Sequence, residues 1–118
     1  MTVNNALSGA RRIALMTLLA AALAACATVQ MGRDFDLQAF KSQIVRGRTT
    51  QAQVQQWLGS PNSTGITVDT NGEKFDQWTY FFGKGKLNRM KQAQLKILQV
   101  KFDQEGIVRG YNYSSEVK

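Results

Sequence analysis

Thr50-Gln-Ala-Gln-Val-Gln-Gln-Trp-Leu-Gly-Ser-Pro61 decides the fold, because it encodes both ends of a short helix. Thr50 followed three residues later by Gln53 matches a capping box, in which side chains and backbone amides of the first turn satisfy each other. Val54, Trp57 and Leu58 then make an i, i+3, i+4 stripe that lies on one helical face. Gly59 supplies a left-handed end, and Pro61 blocks continuation. The reading is a helix over Gln51–Leu58. Working back towards the amino terminus, Asp34 or Asp36 can cap an earlier helix. Leu37, Phe40 and Ile44 share one face of it, and it runs on to Val45, with Gly47 at its stop.

Working forward, residues Asn62–Glu73 turn rich in Asn, Ser, Thr, Gly and Asp and read as a loop, with Asn71-Gly72 a tight turn. Three strand-like runs follow. Phe75–Phe82 places Trp78, Tyr80 and Phe82 on one face and Gln77 and Thr79 on the other. Leu95–Phe102 alternates Leu98, Val100 and Phe102 with Gln99 and Lys101. Ile107–Tyr113 is the third. Asp103-Gln104-Glu105-Gly106 between the last two reads as a hairpin loop. The predicted fold class is α+β: two helices packed on a three-stranded antiparallel meander, in the order ααβββ, over residues 36–118. Val54, Leu58, Leu98, Val100 and Phe102 are the expected core.

The amino terminus is organised differently. Residues 1–12 are polar and end in Arg11-Arg12, and Ile13–Ala25 is an uncharged run of 13 residues. That is shorter than the ~20 residues a membrane-spanning helix needs. A basic start, a short apolar run and a small-residue cleavage site make a secretory signal. Its ending, Leu23-Ala24-Ala25-Cys26, resembles the lipobox of bacterial lipoproteins. The resemblance implies cleavage before Cys26 and acylation of that residue, which makes residues 1–25 a signal peptide and residues 26–35 a lipidated tether. Two or more acyl chains anchor stably where one is marginal. Ala27, rather than Asp, follows the Cys, and in this family such a pattern implies the periplasmic face of the outer membrane.

Removing residues 1–25 from 118 leaves 93, one small domain with 13 basic and 8 acidic side chains and a net charge of +5. A basic protein held at a bilayer faces anionic phospholipid headgroups or an acidic protein surface, and nucleic acid is a poor partner in that compartment. The chain has no His and a single Cys, so neither the commonest general base nor a nucleophile–base pair is available, and no acidic spacing suggests a metal site. No enzyme, cofactor or metal is expected. Lys84, Lys86, Arg89, Lys91 and Lys96 follow one another without an acid between Asp76 and Asp103. This basic connection is a candidate contact for membrane or partner. Trp78, Tyr80 and Phe82 form an aromatic row divided between core and sheet surface. Any exposed part of that row, like Trp57 on its helix, is a candidate partner anchor.

Ile44, Gly47, Thr49-Thr50, Val54, Leu58-Gly59 and Pro61 fit the pattern I-x-x-G-x-T-T-x-x-x-V-x-x-x-L-G-x-P. They are followed by Trp78-x-Tyr80, an apolar strand ending in Phe102, and Gly106. Together these features resemble the SmpA/OmlA (BamE-like) family of outer-membrane lipoproteins, from about Asp36 to Tyr113. An extra residue before Thr50 and the basic connection after the first long strand depart from the family's assembly-machine member. The resemblance implies two helices on a three-stranded sheet and a non-enzymatic lipoprotein that binds envelope proteins, barrel-assembly subunits among them. Two other roles fit the same composition: an anionic phospholipid-binding module, and an inhibitor-like binder of a periplasmic enzyme.

Overall fold

The computed structural model describes residues 12–18, 27–86 and 93–117. Residues 12–18 are helical, and the domain comprises β1 (Thr28–Gly32), α1 (Leu37–Gln43), α2 (Gln51–Leu58), β2 (Ser63–Val68), β3 (Lys74–Lys86), β4 (Gln94–Phe102) and β5 (Val108–Val117). Every strand pairing is antiparallel. The sheet runs β1-β3-β4-β5, and β2 also pairs with β3. The 13-residue β3 is long enough to hold two short strands end to end on one edge. Thr28–Gly32 pair with its second half and Ser63–Val68 with its first.

Both helices begin as their sequences dictate. The Asp36 side chain accepts from the Ala39 amide, and Thr50 and Gln53 complete the capping box, a cap worth ~1 kcal/mol. Helix α2 has the bounds its pattern predicts. Helix α1 ends two residues earlier than the apolar spacing suggests, at Gln43. Hydrogen bonds beyond the helix draw the chain away from it. The Thr49 hydroxyl accepts from the Val45 amide, the Gly47 amide donates to the Val108 carbonyl, and the Val108 amide donates to the buried Thr49. Residues 44–49 are thereby stitched to the start of β5.

The sheet has five strands, not three, and both additions lie where the sequence reads as tether or loop. β2 is built from Ser, Thr and Gly, and its two largest apolar side chains, Ile66 and Val68, are exposed. Its strand character comes from the hairpin closed at Asn71-Gly72 and from backbone bonds to β3. β1 falls within the segment read as a tether, where it covers the free backbone edge of residues 82–86. It ends at Gly32, at φ 72°, where a Cβ would lie 2.2 Å from the Phe81 carbonyl oxygen, so only glycine fits there.

The helices cover one face of the sheet. Tyr80 lies opposite Leu98 and Trp78 opposite Val100, and these join Phe102 and Val108 beneath Leu37, Phe40, Val54 and Leu58. Phe35 closes the same core against Tyr80, with ring centroids 5.8 Å apart. At the turn between β4 and β5, Asp103 is buried. Its carboxylate accepts from the Glu105 and Ile107 amides at 3.0 Å and from Arg109 Nε at 2.7 Å. The Ile107 amide above all, then Arg109, holds this carboxyl below the usual range against the opposing effect of burial. A depressed folded-state value means the stabilisation is present above the unfolded value of about 3.9 and is lost as pH falls through the folded one. Asp103→Asn is therefore expected to lower the melting temperature at neutral pH and to flatten its decline below about pH 4. Thermal melts of both proteins across that range check this.

Candidate partner and membrane surfaces

The residues singled out in the sequence separate into four groups. Cys26, Arg89 and Lys91 lie outside the described residues. Tyr80 and Phe82 are in the core, at 2% and 4% exposure, and cannot serve as surface anchors. Alternation shows that Trp78, Tyr80 and Phe82 share a face, but that face is the one under the helices. Tyr80 is fixed further by its hydroxyl, which donates to the Gly59 carbonyl at 2.8 Å, and burial pushes its pKa up to about 12.

Trp57 and Trp78 are half-buried and pack against the core from its margin. Trp78 meets Phe102 edge-on at 4.8 Å and lines a cleft of about 370 Å³ with Gln51, Thr64, Ile66 and Asp76. Exposed Ile66 and Val68 continue this apolar margin along β2. Neither aliphatic residue stands out in the sequence, because the stretch around them has the composition of a loop.

Lys84 and Lys86 are exposed at the end of β3, opposite Gln30 and Thr28 of β1. The last member of the basic run behaves differently. Lys96 Nζ is hydrogen-bonded to Asp34 and to the Phe35 carbonyl oxygen, and sits 5.3 and 5.5 Å from the ring centroids of Phe35 and Phe82. The Lys96 hydrogen bond keeps the Asp34 carboxyl below its ordinary value. Lys96 is thus a clasp between β4 and the segment that follows β1, and a cleft of about 530 Å³ opens beside it. At the opposite end of the sheet, Lys101 pairs with Asp69 at 3.3 Å.

Two of these candidate surfaces therefore lie at opposite ends of β3. Lys84 and Lys86 stand where β1 enters the sheet, two residues after Cys26. The Trp78–Ile66 margin lies at the far end of β3, beside Asp76. None of the described candidates converges on a reacting centre. They form surfaces suited to binding, with one face of the sheet buried and one open.

Residues 39–112 match the family described as outer membrane protein assembly factor BamE domain. No curated protein matches the chain. The match spans more than half of the sequence, from within α1 into β5, and takes in α2, β2, β3 and β4 whole with parts of α1 and β5; β1 lies before it. The family's role is non-enzymatic and belongs to outer-membrane protein assembly. On the shared helix-and-sheet core and this match, the chain belongs to the BamE (SmpA/OmlA) family of outer membrane protein assembly factor domains.

Proposed function

We propose that this protein is a lipid-anchored accessory of outer-membrane β-barrel assembly, held at the periplasmic face of the outer membrane by acylated Cys26 and binding barrel-assembly subunits. The observation that carries the reading is a BamE domain over residues 39–112, preceded by an export-signal pattern and a lone Cys. Among the described residues no helix is long and apolar enough to cross a membrane, so the reading relies on acyl chains rather than a span. The anchor fixes which end faces outward. With β1 at the membrane end, Trp78, Ile66 and Val68 lie at the far end of the sheet, where a half-buried aromatic beside exposed aliphatics has the character of an interface centre.

Affinity purification of the acylated protein from gently solubilised outer membrane should recover the barrel-assembly subunits. Ile66→Asp should reduce that recovery severalfold without lowering the melting temperature, since Ile66 is 70% exposed. Purification without any such subunit would overturn the assembly role. Recovery unchanged by Ile66→Asp would move the interface elsewhere on the domain.

A second reading, recognition of anionic phospholipid, draws on the position of Lys84 and Lys86 beside β1, at the end where the chain leaves its anchor. Each lysine near an anionic surface adds up to ~1 kcal/mol of attraction. Lys84→Gln with Lys86→Gln should weaken binding to phosphatidylglycerol vesicles at low salt and leave binding to phosphatidylcholine vesicles unchanged. Equal binding of both proteins to the anionic vesicles would remove these lysines from the reading.

A further inference from the structure

The face of the sheet opposite the helices is not uniformly polar. Near β1 it carries Val29 and Met31 from β1, Phe81 from β3, and Leu95 and Ile97 from β4. Strand alternation and the register Met31–Gly83–Leu95 place all five on one side. The packing agrees with the register. A Cβ on Gly83 would lie 3.8 Å from a Leu95 methyl and 3.9 Å from Met31 Cβ, so these side chains flank a glycine floor. Met31 is 64% exposed, Leu95 44% and Val29 37%. Lys84 and Lys86 alternate to the other face, and on this half of the open face, among the described residues, the only charge is Glu116, at the outer edge opposite Leu95. A contiguous exposed patch of this kind marks an interaction site.

We infer that this patch lies against the lipid bilayer and holds the domain on the membrane with the open face of its sheet down. The inference rests on the reading of Cys26 as the acylated residue. If Cys26 carries acyl chains, its backbone sits at the boundary of the hydrocarbon. An extended chain advances about 3.3 Å per residue, so Val29 is at most ~10 Å from Cys26 and Met31 at most ~17 Å. The headgroup layer is only about 5–8 Å deep on each side, and interfacial segments bury an apolar face to about 5–10 Å. The tether is therefore short enough to let the patch reach the depth at which apolar side chains are stabilised by the membrane, and the apolar character of the patch favours that position over solvent. β1 is antiparallel to β3 and joined to it by a continuous ladder, so lowering Val29 and Met31 lowers Phe81 and Leu95 with them. Lys84 and Lys86, on the other side of the same strand ends, then stand at headgroup level. The contact is apolar in origin, so it does not require anionic lipid.

The test uses the full acylated protein reconstituted in neutral phosphatidylcholine vesicles. With Cys26 acylated, Met31→Cys, Leu95→Cys and Ile66→Cys each introduce a unique thiol for an environment-sensitive fluorophore. Labels at positions 31 and 95 should emit at shorter wavelength than the label at 66, and should be quenched by nitroxide-bearing lipid but little by iodide. Labels at 31 and 95 that respond to iodide as fully as the label at 66 would overturn the inference while leaving the anchor intact. Shielding that grows with protein density, or that appears only when barrel-assembly subunits are added, would also overturn it, assigning the patch to a second copy or to a protein partner. A protein that carries no acyl group would overturn the anchor and this inference together.

Discussion

Phe102→Ala is expected to lower the unfolding free energy by ~3–5 kcal/mol, the cost of emptying a buried aromatic site that cannot fully collapse. Phe102 is fully buried at the end of β4, packs edge-on against Trp78, and lies in the cluster that joins both helices to the sheet. Its loss removes apolar burial and leaves a cavity beside Trp78, in a core drawn from elements held by their own hydrogen bonds. A domain of this size has a total stability of only ~5–15 kcal/mol, so the variant should stand near the threshold of folding. Denaturant titration followed by tryptophan fluorescence measures the change, since Trp78 reports on the same site. A loss under ~1 kcal/mol would mean that this core is not the one the fold depends on.

The second large effect concerns the anchor. Replacing Cys26 by serine is expected to abolish acylation and to shift the protein from the membrane to the soluble fraction. The lipid-transfer step uses the thiol as nucleophile, and a hydroxyl does not substitute for it. The remaining chain would keep at most the apolar patch and the lysines for membrane contact, and a single weak determinant gives only reversible binding. Labelling with palmitate followed by membrane fractionation reads both consequences. Continued labelling of Cys26→Ser would end the lipoprotein reading. Loss of label with full membrane retention would show that acyl chains are not required to hold the protein, leaving the apolar patch, the lysines or the apolar run Ile13–Ala25 as the anchor.

These two experiments probe different kinds of information in the chain. The Thr50–Gln53 capping box, the Val54–Trp57–Leu58 stripe and the turns at Asn71-Gly72 and Gly106 are local. Each is set by interactions within a few residues, and the structure reproduces each where the sequence places it. Alternation along β3 and β4 is local in the same sense, and it separated Leu98, Val100 and Phe102 from Gln99 and Lys101. A period of two says that a strand has two faces but not which one a helix will cover. The period therefore leaves the row Trp78-Tyr80-Phe82 divided between core and surface, and only the packing of Tyr80 and Phe82 in one cluster with Phe35, Leu37 and Phe40 assigns its face to the core.

What the sequence by itself determined, then, is every element whose ends are capped or whose side chains must alternate to be buried: both helices, the three longest strands and the hairpin loop. The export-like segment ending at Cys26 is written in the same local terms. Tertiary structure decided the rest. β1 and β2 are strands because β3 offers an edge of unpaired amides and carbonyls, and main-chain groups are common to every residue and leave no mark in the composition. Lys96 reads as one more cation in a basic run, yet it is a clasp, because Asp34 and Phe35, 62 and 61 residues away in the chain, are brought to its ammonium group only when the sheet closes. The apolar patch on the open face likewise exists only once Met31, Phe81 and Leu95, drawn from three separate strands, are set side by side by backbone hydrogen bonds.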